Sequence, residues 1–437
     1  MAPRDSRPKA FLLCGLALLG GIRLQAQAVE GRLTLAPVAA AARRADPYSA
    51  HLSRAELADQ ARDHELSYRE YLAAVNSAGP GTLIPAAVWL RLAQLALYEN
   101  RDEERAGFYS ARIQPAELSA PQREALERLR RRLSYRELPP EKLGLGDGNV
   151  SALRVDGDDL WIGTWNGGVS RLSLSGGQAK VFREGRESLV PSTVRCIEIS
   201  ASRVWVGTYQ GLFSYAKAGA RWQEIEAFAG AEPRKVEALR LAGGRLYVGT
   251  LGHGLWRQEA GEGAEGWRRI SSGPLPGDFV TCLEVDGQDL LIGTLTQGVV
   301  RLDLRSLRLG GFEEAAGGLA ARNVTVLLAD PPRGLWVGTY GDGLYYWDRQ
   351  ASRLAHYSRR GGQLGDDWVL CAVRAESGTY FGTLGGGMAR YVQGGWEVLG
   401  FREGVLSADI PALTYAAPRL YLGSLGAGVS VLTEERP

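Results

Sequence analysis

The sequence predicts an all-β seven-bladed β-propeller preceded by a small all-α (TPR-like) N-terminal region. A strand-like motif recurs seven times, as LWIGT, VWVGT, LYVGT, LLIGT, LWVGT, TYFGT and LYLGS, with 44, 42, 44, 45, 44 and 41 residues between successive glycines. Units of this length suit blades of four antiparallel strands. The 437 residues include 57 glycines without a collagen period, which indicates many turns. The residues before the repeats instead show the apolar spacing of amphipathic helices.

Residues 1–28 are predicted to be a secretory signal peptide. MAPRDSRPK is a basic start, AFLLCGLALLGGI is a short apolar run, and AQA ends at Ala28 as a small-residue cleavage site. No later segment has 18 uninterrupted apolar residues, so we expect a mature chain without a membrane span, either periplasmic or secreted. The net charge of +2 argues against a nucleic-acid partner.

Residues 29–131 are predicted to be helical. SRAELADQARDHELSYREYLAAV opens with Ser53 and Glu56 at capping-box spacing, and Ser119 and Gln122 have the same spacing at the start of SAPQREALERLRRRL. PAAVWLRLAQLALYEN and RDEERAGFYSARI predict a helix–turn–helix pair.

This pair resembles a tetratricopeptide unit, because Trp89, Leu92 and Ala93 fit its first helix. Two interpretations stay open: the helices bind a protein partner, or they only brace the propeller.

Each repeat unit contains four candidate strands, which in the first unit are VSALRVDG, DLWIGTW, GVSRLSL and AKVFREG. In LWIG, Leu160 and Ile162 alternate with Trp161 and Gly163, so both faces of the strand are apolar, as expected of a sheet between two neighbours. We hypothesise that the missing side chain of Gly163 lets the neighbouring blade pack close. Asn166-Gly167 predicts a two-residue type I′ turn.

The propeller is assigned to residues 132–437, although the seventh unit has no fourth strand before Pro437. Upstream, LSYRELPPEKLGLGDGNV (133–150) matches the fourth-strand-plus-crossover pattern of AKVFREGRESLVPSTV. Residues near 133–137 are therefore predicted to complete the last blade, which would remove two exposed sheet edges.

Three cysteines follow the repeat. Cys196, Cys282 and Cys371 each lie 11 residues before the glycine of their unit, where other units have Ala or Val. We interpret them as small buried apolar residues, without disulfides and without a metal.

The blade strings LRVDGDDLWIGTWNGGVSRL and LLADPPRGLWVGTYGDGLYYWD resemble the two-component regulator propeller repeat, with its aromatic-aliphatic-Gly-Thr strand and Gly-Gly turn. The resemblance extends from roughly residue 133 to 437, and Thr379 and Ser424 depart from the pattern. It implies a propeller like the periplasmic input domains of membrane sensor kinases, often thought to sense glycans. No immunoglobulin-like module, membrane helix or kinase follows the seventh unit, so we do not expect this chain to relay a signal alone.

The candidate site lies where the turns between strands two and three meet the crossovers between blades, at the mouth of the central channel. The candidate ligand-binding residues on this face are Trp165, Tyr209, Arg234, Lys235, His253, Tyr340, Asp342, Asp366, Asp367 and Trp368. Aromatic rings beside carboxylates suit sugars, and aromatic rings also suit protein hot spots.

The leading hypothesis is an exported, non-enzymatic binding or scaffold propeller that recognises a glycan, peptide or protein partner, as part of envelope sensing or signalling. Under the structural interpretation, these aspartates are ordinary turn residues and Trp368 packs on its neighbour.

The competing hypothesis is a propeller lyase that acts on a polysaccharide or antibiotic through His253. The mature chain has no other histidine on the candidate face, no Gly-x-Ser-x-Gly elbow and no zinc-ligand spacing. Asp366 and Asp367 are sequence neighbours, so strand alternation would point their carboxylates apart. No catalytic residue, cofactor or metal is predicted.

Overall fold

A computed structural model describes residues 46–434 except 80, 139, 178, 186–189, 229–233, 260–265, 271–278 and 313–322. The predicted signal peptide, residues 1–28, lies outside this part of the chain. Before the propeller come five α-helices, which are α1 (Pro47–Gln60), α2 (His64–Ser77), α3 (Ala86–Gln94), α4 (Glu103–Ser110) and α5 (Ala120–Ser134). A π-helical turn, Leu95–Glu99, extends α3. The predicted helical N-terminal region is therefore confirmed.

The two predicted capping boxes have different outcomes. At α5 the Gln122 Oε1 accepts a hydrogen bond from the Ser119 backbone N at 3.0 Å, as predicted. The prediction at Ser53 is wrong, because α1 already begins at Pro47 and Ser53 lies inside it, where its hydroxyl donates to the Ser49 carbonyl. The segment then breaks before α2, where the Asp63 carboxylate caps the new helix by accepting from the Leu66 N.

The rest of the chain forms seven four-stranded antiparallel sheets, which confirms the predicted seven-bladed propeller. The strands are β1 (Tyr135–Leu138); β2 (Val150–Asp156), β3 (Asp159–Thr164), β4 (Val169–Ser173) and β5 (Ala179–Phe182) in blade one; β6 (Val194–Ile199), β7 (Arg203–Thr208), β8 (Gly211–Ala216) and β9 (Arg221–Glu224) in blade two; β10 (Val236–Ala242), β11 (Arg245–Thr250), β12 (Leu255–Gln258) and β13 (Trp267–Ile270) in blade three; β14 (Val280–Asp286), β15 (Asp289–Thr294), β16 (Val299–Asp303) and β17 (Leu309–Gly311) in blade four; β18 (Val324–Asp330), β19 (Gly334–Thr339), β20 (Leu344–Asp348) and β21 (Arg353–Tyr357) in blade five; β22 (Val369–Ala375), β23 (Gly378–Thr383), β24 (Met388–Val392) and β25 (Gly395–Leu399) in blade six; β26 (Ala412–Ala416), β27 (Arg419–Gly423) and β28 (Val429–Thr433) in blade seven. A four-residue helix, α6 (Pro140–Leu143), follows β1. The first strands of successive blades contact one another around a closed ring, so they lie nearest the axis.

Strand β1 supplies the fourth strand of blade seven. It pairs antiparallel with β28, with Tyr135 opposite Leu432 and Leu138 opposite Val429. Helix α5 runs directly into β1, and the Arg132 Nη1 donates to the Tyr135 carbonyl at 3.1 Å. The helical region is therefore joined to the strand that closes the ring.

The glycine of the repeat motif allows the blades to pack closely, as hypothesised for Gly163. A Cβ atom placed on Gly163 would lie 2.5 Å from Val194 Cγ1, at the start of the next blade. The same conflict with the next blade's first valine recurs at Gly207, Gly249, Gly293, Gly338 and Gly423. Trp161, on the same face, packs against blade two, while Leu160 and Ile162 pack with blade seven. Each blade is thus buried on both sides.

The cysteines occupy the first strands beside these glycines. A Cβ on Gly207 would also lie only 2.4 Å from Cys196 Sγ, and the equivalent contact exists at Cys282 and Cys371. All three cysteines are free thiols, and burial raises the pKa of each. They act as packing residues.

The turn after β3 is not the predicted type I′ turn, because neither Asn166 nor Gly167 has a positive φ and only Gly168 does, at +75°. The Thr164 hydroxyl controls this loop: it donates to the Gly168 carbonyl at 3.0 Å and accepts from the Gly167 N at 2.9 Å. Gly167 is needed for space instead, since a Cβ there would lie 2.7 Å from the Asp147 N. The hydroxyl of the motif's last residue makes the same bond to a glycine carbonyl in every blade, and Ser424 does so in blade seven.

Candidate functional site

Turns and crossovers share one face of the propeller, as the sequence analysis assumed. The Gly168 N, in the turn after β3, donates to the Ser192 carbonyl in the crossover to blade two at 2.9 Å. In blade five, the Gly341 N and Gly343 N both donate to the Asp367 carbonyl. These bonds hold each turn against the crossover that follows it.

Two residues per blade recur at this face, and we name the fourteen together the mouth ring. One directly follows the motif's threonine or serine, and the other ends the incoming crossover. The first set is Trp165, Tyr209, Leu251, Leu295, Tyr340, Leu384 and Leu425; the second set is Asn149, Thr193, Lys235, Phe279, Asn323, Trp368 and Asp409. In six blades a hydrogen bond runs from the backbone N of the first residue to the carbonyl of the second, as from Tyr340 to Asn323 at 2.9 Å.

Tyr340 and Trp368 form an exposed aromatic pair across blades five and six. Their ring centroids are 4.2 Å apart at 32°, and their backbones form an antiparallel bridge. Tyr340 is 47% exposed and Trp368 is 39% exposed. The two rings together present an apolar surface to solvent. Trp368 therefore packs against its neighbour Tyr340 and is still accessible to a ligand.

Trp165 and Tyr209 form a second aromatic group in blades one and two, joined by a residue that the sequence analysis missed. The guanidinium of Arg195 lies 4.6 Å from the Trp165 ring and 5.2 Å from the Tyr209 ring. It is bound by two hydrogen bonds to the Glu237 carboxylate, at 2.6 and 3.1 Å. Burial disfavours the charge on Arg195, but the bonds to Glu237 more than offset it and raise its pKa.

The predicted basic residues of blade three divide into different roles. Arg234 is half-buried, donates to the Ala227 carbonyl and lies 4.6 Å from the Trp256 ring, so it braces the crossover. Lys235 is exposed, with its Nζ 6.0 Å from the Tyr209 ring. His253 is exposed, and its backbone carbonyl accepts from Trp256 Nε1.

The three predicted aspartates have local partners. The Asp366 carboxylate accepts from the Trp368 N at 3.0 Å, and that of Asp367 accepts from the Arg359 N at 2.6 Å. The carboxylate of Asp342 accepts from the Tyr345 hydroxyl at 2.6 Å. Burial, together with this bond, raises the pKa of Tyr345. These carboxylates shape the loops beside the aromatic pair.

Phe279 and Leu295 of blade four, each 40% exposed in the mouth ring, were not among the residues predicted from the sequence. The signal was available, because Leu295 has the same repeat position as Trp165 and Tyr340, and Phe279 the same position as Trp368.

The lyase hypothesis depends on the surroundings of His253 and on the groups available to hold a metal ion. Among the described residues, no side chain makes a hydrogen bond or ion pair with the imidazole of His253. Within the same part of the chain, no three His, Cys, Asp or Glu residues are placed to hold a metal ion. None of the helices described there is both long enough and apolar enough to span a bilayer.

Comparison with known proteins shows the fold. No protein-family model matches this sequence, and no curated protein matches it. Among solved structures, it resembles the extracellular domain of the putative hybrid two component system BT3049 from B. thetaiotaomicron, at 16% identity and a TM-score of 0.56. It also resembles that of the putative one component system BT4673 from the same organism, at 17% identity and 0.54. These matches cover 69% of this chain and 42% and 43% of those chains, so this chain corresponds to less than half of either domain.

A smaller protein matches over nearly its whole length. The structure described as YCF48 bound to D1 peptide matches at 10% identity and a TM-score of 0.53, covering 69% of this chain and 97% of that chain. The chain is thus a seven-bladed propeller whose fold is similar to that of the extracellular domains described for the BT3049 and BT4673 systems. Identities this low show the fold alone.

Proposed function

We propose that this protein is an exported, non-enzymatic binding propeller that engages a glycan, peptide or protein partner through its mouth ring, within an envelope sensing or signalling system. The observation that carries the proposal is the position of the exposed apolar side chains. Among the described residues after β1, the exposed large apolar side chains are Trp165, Phe279, Leu295, Tyr340, Trp368, Val398 and Phe401. The first five all belong to the mouth ring. Clustered exposed apolar residues mark interaction sites on soluble proteins.

The comparisons support the proposal without identifying the partner. Similar folds form the extracellular domains described for a hybrid two component system and a one component system, and a similar structure is described with a bound peptide. Export follows from the predicted signal peptide at residues 1–28. We propose that removal of this segment leaves the helical region 29–131 and the propeller 132–437.

We propose that the helical region contributes a second contact surface. Leu57 is 63% exposed and Leu66 is 40% exposed, and both line a hollow of about 280 Å³ between α1 and α2. Deletion of the whole region would be a poor test, because α5 leads into the closing strand β1. The double variant Leu57→Ser, Leu66→Ser is a more specific test. The amount of partner captured should fall if this surface binds the partner, and should remain unchanged if the helices only brace the ring.

The mouth ring is tested with residues 29–437 on peptide and oligosaccharide arrays. Binding should fall at least tenfold in Tyr340→Ala and in Trp368→Ala. Val398→Ala is the matched control, because Val398 is exposed on the outer strand β25 and its loss should leave binding unchanged. Equal effects of all three variants would contradict the proposal. Turnover of a polysaccharide that is lost in His253→Ala would instead favour a lyase.

A further inference from the structure

The mouth ring has an apolar arc along blades four to six, made of Phe279, Leu295, Tyr340, Trp368 and Leu384. Hydrogen bonds connect its backbone: the Leu295 N donates to the Phe279 carbonyl, and the Leu384 N donates to the Trp368 carbonyl. The first four side chains are 39% to 47% exposed. The mouth ring has a sixth member in these three blades, Asn323, which is polar and whose backbone N donates to the Leu295 carbonyl.

The opposite arc, in blades one to three, is aromatic and basic. It contains Trp165 and Tyr209, with Arg195 between their rings and Lys235 beside Tyr209. Glu237 neutralises Arg195. Among the described residues, Lys235 has no ion-pair partner, so this arc presents an exposed cation at Lys235.

The composition of the apolar arc distinguishes between ligand classes. A sugar site needs hydrogen-bonding groups around the edge of each aromatic ring, because hydroxyl groups surround the apolar face of the sugar. Here Asp366 binds the Trp368 backbone N and Asp342 binds the Tyr345 hydroxyl, while Phe279 and Leu295 extend the apolar surface. An exposed surface made of aliphatic and aromatic side chains fits an apolar side chain of a polypeptide.

We propose that the mouth ring binds a peptide segment of a partner protein, with an apolar side chain on the arc of blades four to six and a carboxylate directed to Lys235 in blade three. This inference rests on the proposed function, and it adds the ligand class and its orientation. The exposed cation complements an acidic group and would speed association, with a dependence on salt.

The test uses residues 29–437 and an array of ten-residue peptides. Each peptide carries one Leu, Phe or Trp and one Asp or Glu, separated by one to seven positions, and a matched set carries Asn or Gln. Acidic and neutral oligosaccharides are tested in parallel. Acidic apolar peptides should bind best, and raised salt should reduce their advantage over the amide set.

Two variants separate the two halves of the site. Lys235→Gln should weaken the acidic peptides about fivefold, leave the amide peptides unchanged, and be rescued by Lys235→Arg. Trp368→Ala should weaken both sets, and Val398→Ala neither. Circular dichroism and melting temperature confirm that each variant folds.

The outcomes are distinguishable. If oligosaccharides bind through Trp368 and peptides do not, the peptide inference is overturned and the proposed function stands. If peptides bind but Lys235→Gln changes the affinity for the acidic and the amide peptides equally, the proposed orientation is refuted. If Trp368→Ala changes no binding at all, the proposed function fails as well.

Discussion

Gly163→Ala should destabilise the propeller, because the glycine of each motif is where the next blade comes closest. The added Cβ would lie 2.5 Å from Val194 Cγ1 and 3.1 Å from Val194 Cβ, well inside normal carbon–carbon contact. Val194 is fully buried, so it has no open space to move into. Overpacking of this kind costs about 1–3 kcal/mol.

The cost should appear in thermal unfolding. In a chain of this size, each kcal/mol lowers the melting temperature by roughly 2 °C, so the expected decrease is about 2–6 °C. Gly310→Ala is the matched control: Gly310 lies in β17, has no positive φ, and a Cβ there would meet no atom within 4 Å. That variant should melt at or slightly above the parent temperature.

A double variant tests the stated cause. Val194→Ala removes the atom that the new Cβ would strike, so Gly163→Ala combined with Val194→Ala should cost less than the sum of the two single changes, by about 1 kcal/mol. Strict additivity would refute the explanation. So would a Gly163→Ala protein that melts like the Gly310→Ala control.

Three further predictions concern the turns, the closing strand and the thiols. Thr208→Val should cost about 1 kcal/mol in chemical denaturation, since it removes the hydroxyl bond to the Gly211 carbonyl, and Thr208→Ser should restore the loss. Tyr135→Ala should lower the melting temperature of the entire propeller by removing a buried ring worth about 3–5 kcal/mol, and unaltered melting would mean that β1 is not needed for closure. Burial raises the pKa of Cys282 and of Cys371 to about 12, so the folded thiols should resist a thiol-reactive disulfide at pH 8 and react only in denaturant. Because these folded pKa values exceed the unfolded ones, their contribution to stability is complete below about pH 8.5 and decreases as the pH rises toward 12, which denaturation at pH 8 and pH 10 would measure.

The fold was predictable because the repeat unit carries local and regular information. The motif glycine, the threonine after it and the alternation around Trp161 each follow from packing between two neighbours, and they recur often enough to set the number of blades. The I′ prediction at Asn166-Gly167 failed because the Thr164 hydroxyl fixes a different loop, with the positive φ at Gly168. The Asn-Gly dipeptide alone does not indicate that a nearby threonine hydroxyl will determine the conformation of the loop.

The face on which the candidate residues lie was predictable, whereas the exposure of each side chain was less so; their role in binding stays a prediction. Trp165, Tyr340 and Trp368 are exposed at the mouth as expected, whereas Arg234 turns inward to brace a crossover. Phe279 and Leu295 went unrecognised because an aliphatic or aromatic residue next to a strand has the pattern of core. Only the positions of the loops show that these side chains face solvent.

The sequence alone determined the number of blades, the order of strands within a blade, the region of chain that closes the ring and the structural role of the cysteines. These follow from periodicity, because each blade can bury its two apolar faces only between neighbours of the same kind. Tertiary structure decided which of the mouth side chains are exposed, which are neutralised, as Arg195 is by Glu237, and which are adjacent across blades, as Tyr340 and Trp368 are. Those relations join residues from different units through space, and the repeat pattern, which treats every unit alike, does not contain them.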